Sequence, residues 1–292
     1  MAKRVYTRFS NDPDKLVQLL MPRLEVDAAE VERLMHGGCI YVNGKRVATD
    51  AALLVGDKIT VFQQASEELP RLQTVLQDPW FVVVDKPVGL PSQAERSQSA
   101  HALDALVQHR FGDDVRLIHR LDKEASGLVL FARKPDARAP LQEALAAGEI
   151  ERRYVALVDG ELRGDGHIRL RIGRHGKDTR LRAALPENAP AGEAAHTIYR
   201  ALGHGVRDGR PLTAVELRLD SGRTHQLRVH LSAIGHPLLG DAAYGGPVFA
   251  RLCLHGYALE LPHPLDRSRV QVRSPIPRDF TQLVANLTSS LT

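Results

Sequence analysis

Cysteine is scarce: in 292 residues there are only Cys39 and Cys253, far apart and forming no CxxC pair. That spacing excludes a disulfide framework and the usual zinc patterns, and it fits a reducing compartment. Long apolar runs are lacking too, with no stretch of about 18 apolar residues and no apolar segment in the opening MAKRVYTRFSNDPDK. The chain therefore reads as cytoplasmic, without a membrane partner. The histidines His225, His230 and His236 stand five and six apart. This misses the i, i+4 spacing of a helical zinc pair. No GxSxG is present, since Ser126 sits in EASGL and Ser221 in DSGRT, so a serine hydrolase is not indicated.

What is there is an ordinary globular composition, 43% hydrophobic and 25% charged, which sets aside fibrous and disordered classes. The length suits a main domain plus a smaller module. A net charge of +4 is compatible with a polyanionic partner without requiring one.

Apolar residues at helical spacing over Lys15–Leu20 and Ala28–Leu34, ending at Gly37 and Gly38, predict two short helices. Ile40–Val42 and Lys58–Phe62 read as strands, with turns at Asn43-Gly44 and Gly56-Asp57. The stretch GCIYVNGKRVATDAALLVGDKITVF resembles the alpha-L RNA-binding domain, and the resemblance implies a small α/β module over 14–65. Its second helix is acidic here, through Glu25, Asp27, Glu30 and Glu32, which leaves Lys45, Arg46, Lys3, Arg4 and Arg8 to meet phosphate. Residues 66–72 read as a linker.

Beyond it, Phe81–Val84 reads as a buried strand leading into the Asp85–Pro91 turn. His101–Phe111 reads as a helix stopped by Gly112, and Pro135 to Gly148 bracket an Ala-rich helix. Strands are expected at Arg153–Val158, Ala194–Ala201 and Leu212–Leu219, and a helix around Leu227–Ile234. Residues 161–182 carry Arg163, Arg169, Arg171, Arg174, Arg180, Arg182 and Lys177. Such a cluster suits phosphate contact or a solvated hairpin.

The densest chemistry lies in LIHRLDKEASGLVLFAR, Leu117–Arg133, where four charged residues abut an apolar strand. A carboxylate at that place, Asp122, needs either a cationic partner or a chemical use. HRLDKEASGLVLFARK, with DKPVGL before it and RRYVALVDG, SGRTHQLRVHLSAIGHPLLGDAAYG and LHGYALELPHP after it, resembles the RluA-type family of RNA pseudouridine synthases. The resemblance implies a catalytic domain over 73–285 of α+β class, with a mixed, mainly antiparallel sheet around a central cleft.

It further implies isomerisation of specific uridines, in large-subunit ribosomal RNA or alternatively transfer RNA, by a monomer needing no cofactor or metal. A non-catalytic RNA-binding or ribosome-assembly protein of the same fold is the other reading. Asp122 matches the family's nucleophile, Tyr154 its active-site tyrosine and Arg223 its arginine paired with the aspartate. Arg120 matches the arginine that fills the gap left by a flipped nucleotide. By the same resemblance His119, Leu121, Thr224, His225 and Leu227 join Arg120 in the substrate-binding wall. An ionised carboxylate can attack without an activating base. The base and the ribose both remain open as the point of attack, the glycal route among the options.

Overall fold

The structure, a computed structural model, describes residues 2–63, 72–93, 102–176 and 178–291. Most of the expected linker, His101 and Lys177 lie outside them. The described residues fall into two compact units, 2–63 and 72 onward.

The smaller unit runs β1 (Ala2–Thr7), α1 (Leu16–Leu24), α2 (Ala28–His36), β2 (Ile40–Val42), β3 (Lys45–Arg46) and β4 (Lys58–Gln63), with sheet order β1-β4-β2-β3. Leu16, Leu20, Val31, Met35, Ile40, Ile59 and Val61 form its core. Asn43 at φ 50° and Gly44 at φ 78° close a tight hairpin. Asn43 Nδ2 donates to Asp57 Oδ1 (2.7 Å) and Lys58 N–H donates to Asn43 Oδ1 (2.9 Å), so the two turns brace each other. The unit begins earlier than the expected residue 14, because β1 pairs along its length with β4. Its charged AKRVYT pattern looks like a basic tail rather than a half-buried strand.

The larger unit contains β5 (Gln73–Gln77), β6 (Phe81–Lys86), α3 (Leu103–Phe111), β7 (Arg116–Leu117), β8 (Ser126–Ala132), α4 (Pro135–Ala146), β9 (Glu151–Asp159), β10 (Asp165–Arg174), β11 (Arg182–Leu185), β12 (Glu193–Arg207), β13 (Arg210–Leu219), α5 (Gln226–Ala233), β14 (Leu254–Pro262), β15 (Arg269–Arg273) and α6 (Arg278–Thr281). Its sheet follows β11-β10-β12-β13-β9-β14-β8-β6-β5, with β15 on β14 and β7 on β8. The β8–β14 pairing is parallel and the others are antiparallel, as the expected mixed, mainly antiparallel sheet requires.

Alternation along β6 and β8 divides the core between the sheet's two faces. Val82, Val84, Val129 and Phe131 join Tyr154, Leu227 and Leu231 on one side. Phe81, Val83, Leu128 and Leu130 meet Ala137 and Leu141 of α4 on the other. Burial of each large apolar side chain contributes about 1.5–3 kcal/mol, which makes β8, buried at all seven positions, a firm floor for the loop preceding it.

Gly127 sets the geometry at the start of that floor. Its φ is +118°, and a Cβ there would fall inside the backbone of Gly256 on β14. Glycine is thus required for the two strands to approach. Gly256 in turn lies against the Tyr154 ring, 3.4 Å from the position its own Cβ would take.

Candidate active site

A cleft of about 550 Å³ opens where the β7–β8 loop, the start of β9 and the loop before α5 converge. Asp122, Tyr154 and Arg223 all line it, as do His119, Arg120, Leu121, Thr224, His225 and Leu227.

The carboxylate of Asp122 is only 17% exposed and lies 3.6 Å from Nη1 of Arg228. The cation paired with Asp122 is therefore Arg228 and not the expected Arg223. Arg223 instead pairs with Glu193 (2.5 Å) at the half-exposed mouth of the cleft. The reason is local. Arg223 precedes α5 in an open loop, whereas Arg228 lies within the helix, on a turn packed against the core, with its side chain 7% exposed.

Arg228 is fixed from behind. Its Nε and Nη2 donate to the two oxygens of buried Asp241 (2.8 and 2.7 Å), a bidentate fork. Its guanidinium carbon lies 5.1 Å from the Tyr244 ring centroid. Burial works against its charge, but Asp241, Asp122 and Glu124 more than offset this and raise its pKa. The Tyr244 hydroxyl accepts from Arg182 N–H (3.0 Å) and meets His225 Nδ1 (2.8 Å). His225 holds φ +57°, a left-handed conformation unusual away from glycine, and burial lowers its pKa toward the neutral imidazole.

Gln226 ties the loop before α5. Its Oε1 accepts from Ser221 Oγ (2.9 Å) and Arg223 N–H (3.0 Å), while its Nε2 donates to His196 O (2.9 Å) and Thr197 Oγ1 (3.1 Å). On the Asp122 side, Leu121 is a buried core residue whose backbone N–H and C=O both bond Ser92 Oγ (3.0 and 2.7 Å). His119 is buried, and its Nε2 accepts from Leu130 N–H (3.3 Å). Burial, followed by the Arg152 charge, pushes its pKa down to about 3, so it staples the loop to β8 as a neutral ring. Arg120 and Thr224 are exposed on the cleft wall. Tyr154 is 4% exposed; burial first and the Asp122 carboxylate next raise its pKa, against Arg152, so the phenol keeps its proton.

Lys86 went unremarked in DKPVGL, yet it holds the Asp122 loop. Fully buried, its Nζ donates to Pro87 O (2.9 Å), Leu90 O (2.8 Å) and Lys123 O (3.2 Å). Three carbonyls match the three N–H bonds of an ammonium. Burial lowers its pKa to about 8, with the Asp122 and Glu124 charges opposing the shift. Above that pH the neutral amine keeps two donors for three acceptors.

We expect turnover at saturating substrate to fall as pH rises through about 8, and this limb to vanish in a Lys86→Met variant whose rate is already low. Stability moves the other way. The unfolded lysine, near 10.5, binds more protons than the folded one between pH 8 and 10.5, so this group makes stability rise across that window. Loss of activity above pH 8 with a steady or rising melting temperature is the signature. A basic limb unchanged in Lys86→Met would remove Lys86 from the explanation.

The family model described as RNA pseudouridylate synthase matches residues 80–233. A Bacillus subtilis protein named uncharacterized RNA pseudouridine synthase YhcT is 30% identical over 287 residues, covering 93% of each chain. The Pseudomonas aeruginosa ribosomal large subunit pseudouridine synthase D is 36% identical over 241 residues, covering 74% of this chain and 72% of that one. The solved structure of human RNA Pseudouridylate Synthase Domain Containing 1 superposes with a TM-score of 0.62 at 28% identity, over 73% of this chain and 86% of that one. The chain belongs to the RluA-type RNA pseudouridine synthase family and is an RNA pseudouridine synthase.

Proposed function

We propose that the enzyme isomerises a specific uridine of large-subunit ribosomal RNA, with Asp122 as nucleophile, Arg228 as its counter-charge and Tyr154 as the platform for the base. The observation that carries this reading is an Asp122 carboxylate 3.6 Å from a cation held by Asp241, in a cleft that Tyr154 also lines. With its fork taken by Asp241, Arg228 turns Nη1 toward the Asp122 carboxylate as a fixed counter-charge. The ring of Tyr154 offers an apolar face to a flipped base.

During the reaction the bond from ribose C1′ to N1 breaks, the uracil turns, and a bond from C1′ to C5 forms. The proton on C5 leaves to solvent, N1 takes one up, and the bond that Asp122 forms is broken before the product departs, so no oxidant or group donor is consumed. Attack at the ribose and attack at the base begin from the same carboxylate. Arg120, exposed on the cleft wall, would fill the stack emptied by the flipped nucleotide, an operation costing a few kcal/mol.

The choice of large-subunit ribosomal RNA rests on relatives named for that substrate. We propose that it acts as a monomer, in the cytoplasm with its RNA. No described helix is long and apolar enough to cross a membrane.

The test uses purified protein and transcripts carrying tritium at uridine C5. Stoichiometric release from a large-subunit ribosomal RNA transcript, and little from bulk transfer RNA transcripts, is the expected result. Release from transfer RNA alone would replace the substrate, and release from neither would overturn the reading.

A further inference from the structure

We propose that Arg152 is the seat for one of the two phosphates flanking the target uridine. The inference rests on the proposed RNA reading and adds a contact that neither the nucleophile nor its counter-charge supplies.

Alternation along β9 puts Arg152 on the same face as Tyr154, toward the cleft, and both line it. Glu151 and Arg153 take the other face and pair with each other (3.1 Å). Arg223 is matched by Glu193, and Arg228 by Asp241, Asp122 and Glu124. Arg152 has no carboxylate partner among the described residues, and its Nε is buried without an acceptor.

The neighbouring loop leaves room for this cation. A Cβ on Gly222 would lie 2.9 Å from Arg152 Nη1, so any larger residue there would displace the guanidinium. The fork therefore lies against Gly222, at the side of the cleft.

A partly buried cation with no carboxylate beside it is left to be matched by a ligand that supplies the opposite charge. The RNA brings that charge permanently in its phosphodiesters, and a planar fork of N–H donors fits a phosphate in bidentate fashion. A nucleotide entering the cleft base-first brings its own phosphates to the wall that Arg152 and Gly222 form. After burial, the charge of Arg152 adds to the fall of the His119 pKa and opposes the rise of the Tyr154 pKa, so the guanidinium is within electrostatic reach of both.

The test compares wild type, Arg152→Gln and Arg152→Lys on native RNA and on two RNAs bearing a neutral methylphosphonate 5′ or 3′ to the target uridine. One methylphosphonate should raise the wild-type KM about tenfold or more with kcat little changed, as expected for loss of one charged bidentate contact. Arg152→Gln should show that penalty on native RNA and none further on the neutral RNA, with Arg152→Lys between. The slope of log affinity against log salt should fall by about 0.7–0.9, one phosphate contact.

A drop in kcat at constant KM would instead assign Arg152 to charge developing on the detached uracil. Equal methylphosphonate penalties in wild type and Arg152→Gln, or none in wild type, would overturn the inference. The wild-type comparison needs no variant to fold. Direct binding of the RNA pair, measured apart from label release, separates failure of this contact from failure of the catalytic reading.

Discussion

Arg228→Met should abolish tritium release and destabilise the larger unit by about 3–5 kcal/mol, whereas Arg223→Met should change stability by no more than about 1 kcal/mol and leave release within tenfold of wild type. The contrast follows from what each substitution strands. Asp241 has no exposed side-chain surface, and both its oxygens are taken by Arg228. Removing the guanidinium leaves a buried carboxylate without its cation and removes a charged group stacked near Tyr244.

Arg223 and Glu193, by contrast, are 42% and 66% exposed and water can replace either partner. For the larger unit the Arg228 loss corresponds to a melting temperature lower by roughly 10 °C. The double variant Arg228→Met, Asp241→Leu should recover much of that stability by removing the stranded charge, yet recover none of the activity. Thermal melting and label release on the four proteins check this. Loss of release in Arg223→Met with retention in Arg228→Met would return the pairing role to Arg223.

That pair of arginines shows how far the sequence could be read. SGRTHQLRVH holds both, and a motif alone does not say which one turns inward. The signal was present in burial logic: Arg228 stands between Leu227 and Val229, with Leu231 following, inside a helix whose described positions from Gln226 to Leu231 are all buried. An arginine so placed requires a buried acid, and GDAAYG supplies Asp241.

Lys86 offered a similar clue, a lysine closing the apolar run FVVV. Its carbonyl partners, however, lie on Pro87, Leu90 and distant Lys123, and no periodicity reveals backbone acceptors across a loop. The apolar strands β6, β8 and β9 were readable because they are buried on both faces. The β10–β11 hairpin was legible only as one of two uses for the arginines of 161–182, since an exposed strand at a sheet end has little apolar alternation to decide between them. The pairing of β1 with β4 was hidden in the same way, by a charged segment distant in sequence from its partner.

Asp122→Asn should lower tritium release by at least about 10⁴-fold, the scale on which removal of a nucleophile acts, while RNA binding stays near wild type and the melting temperature holds within a few degrees. Stability is spared because Asp122 is not what secures Arg228. Its oxygen is 3.6 Å from Nη1, whereas Asp241 makes two bonds of 2.8 and 2.7 Å to the same side chain. With Asp241, Glu124 and Asp122 all facing Arg228, the local balance is already negative, and deleting one charge relieves repulsion as it removes attraction.

Asparagine also serves the turn as well as aspartate does. The Ala125 N–H to Asp122 C=O bond (3.1 Å) uses only backbone atoms, so a purely turn-forming Asp122 would tolerate the change and release would persist. Measuring release, RNA affinity and melting on the same preparation therefore separates the two uses of this carboxylate. Activity lost while fold and binding stay intact means that the ionised oxygen takes part in the reaction. Activity retained would reduce Asp122 to a turn residue and leave the cleft in need of another nucleophile.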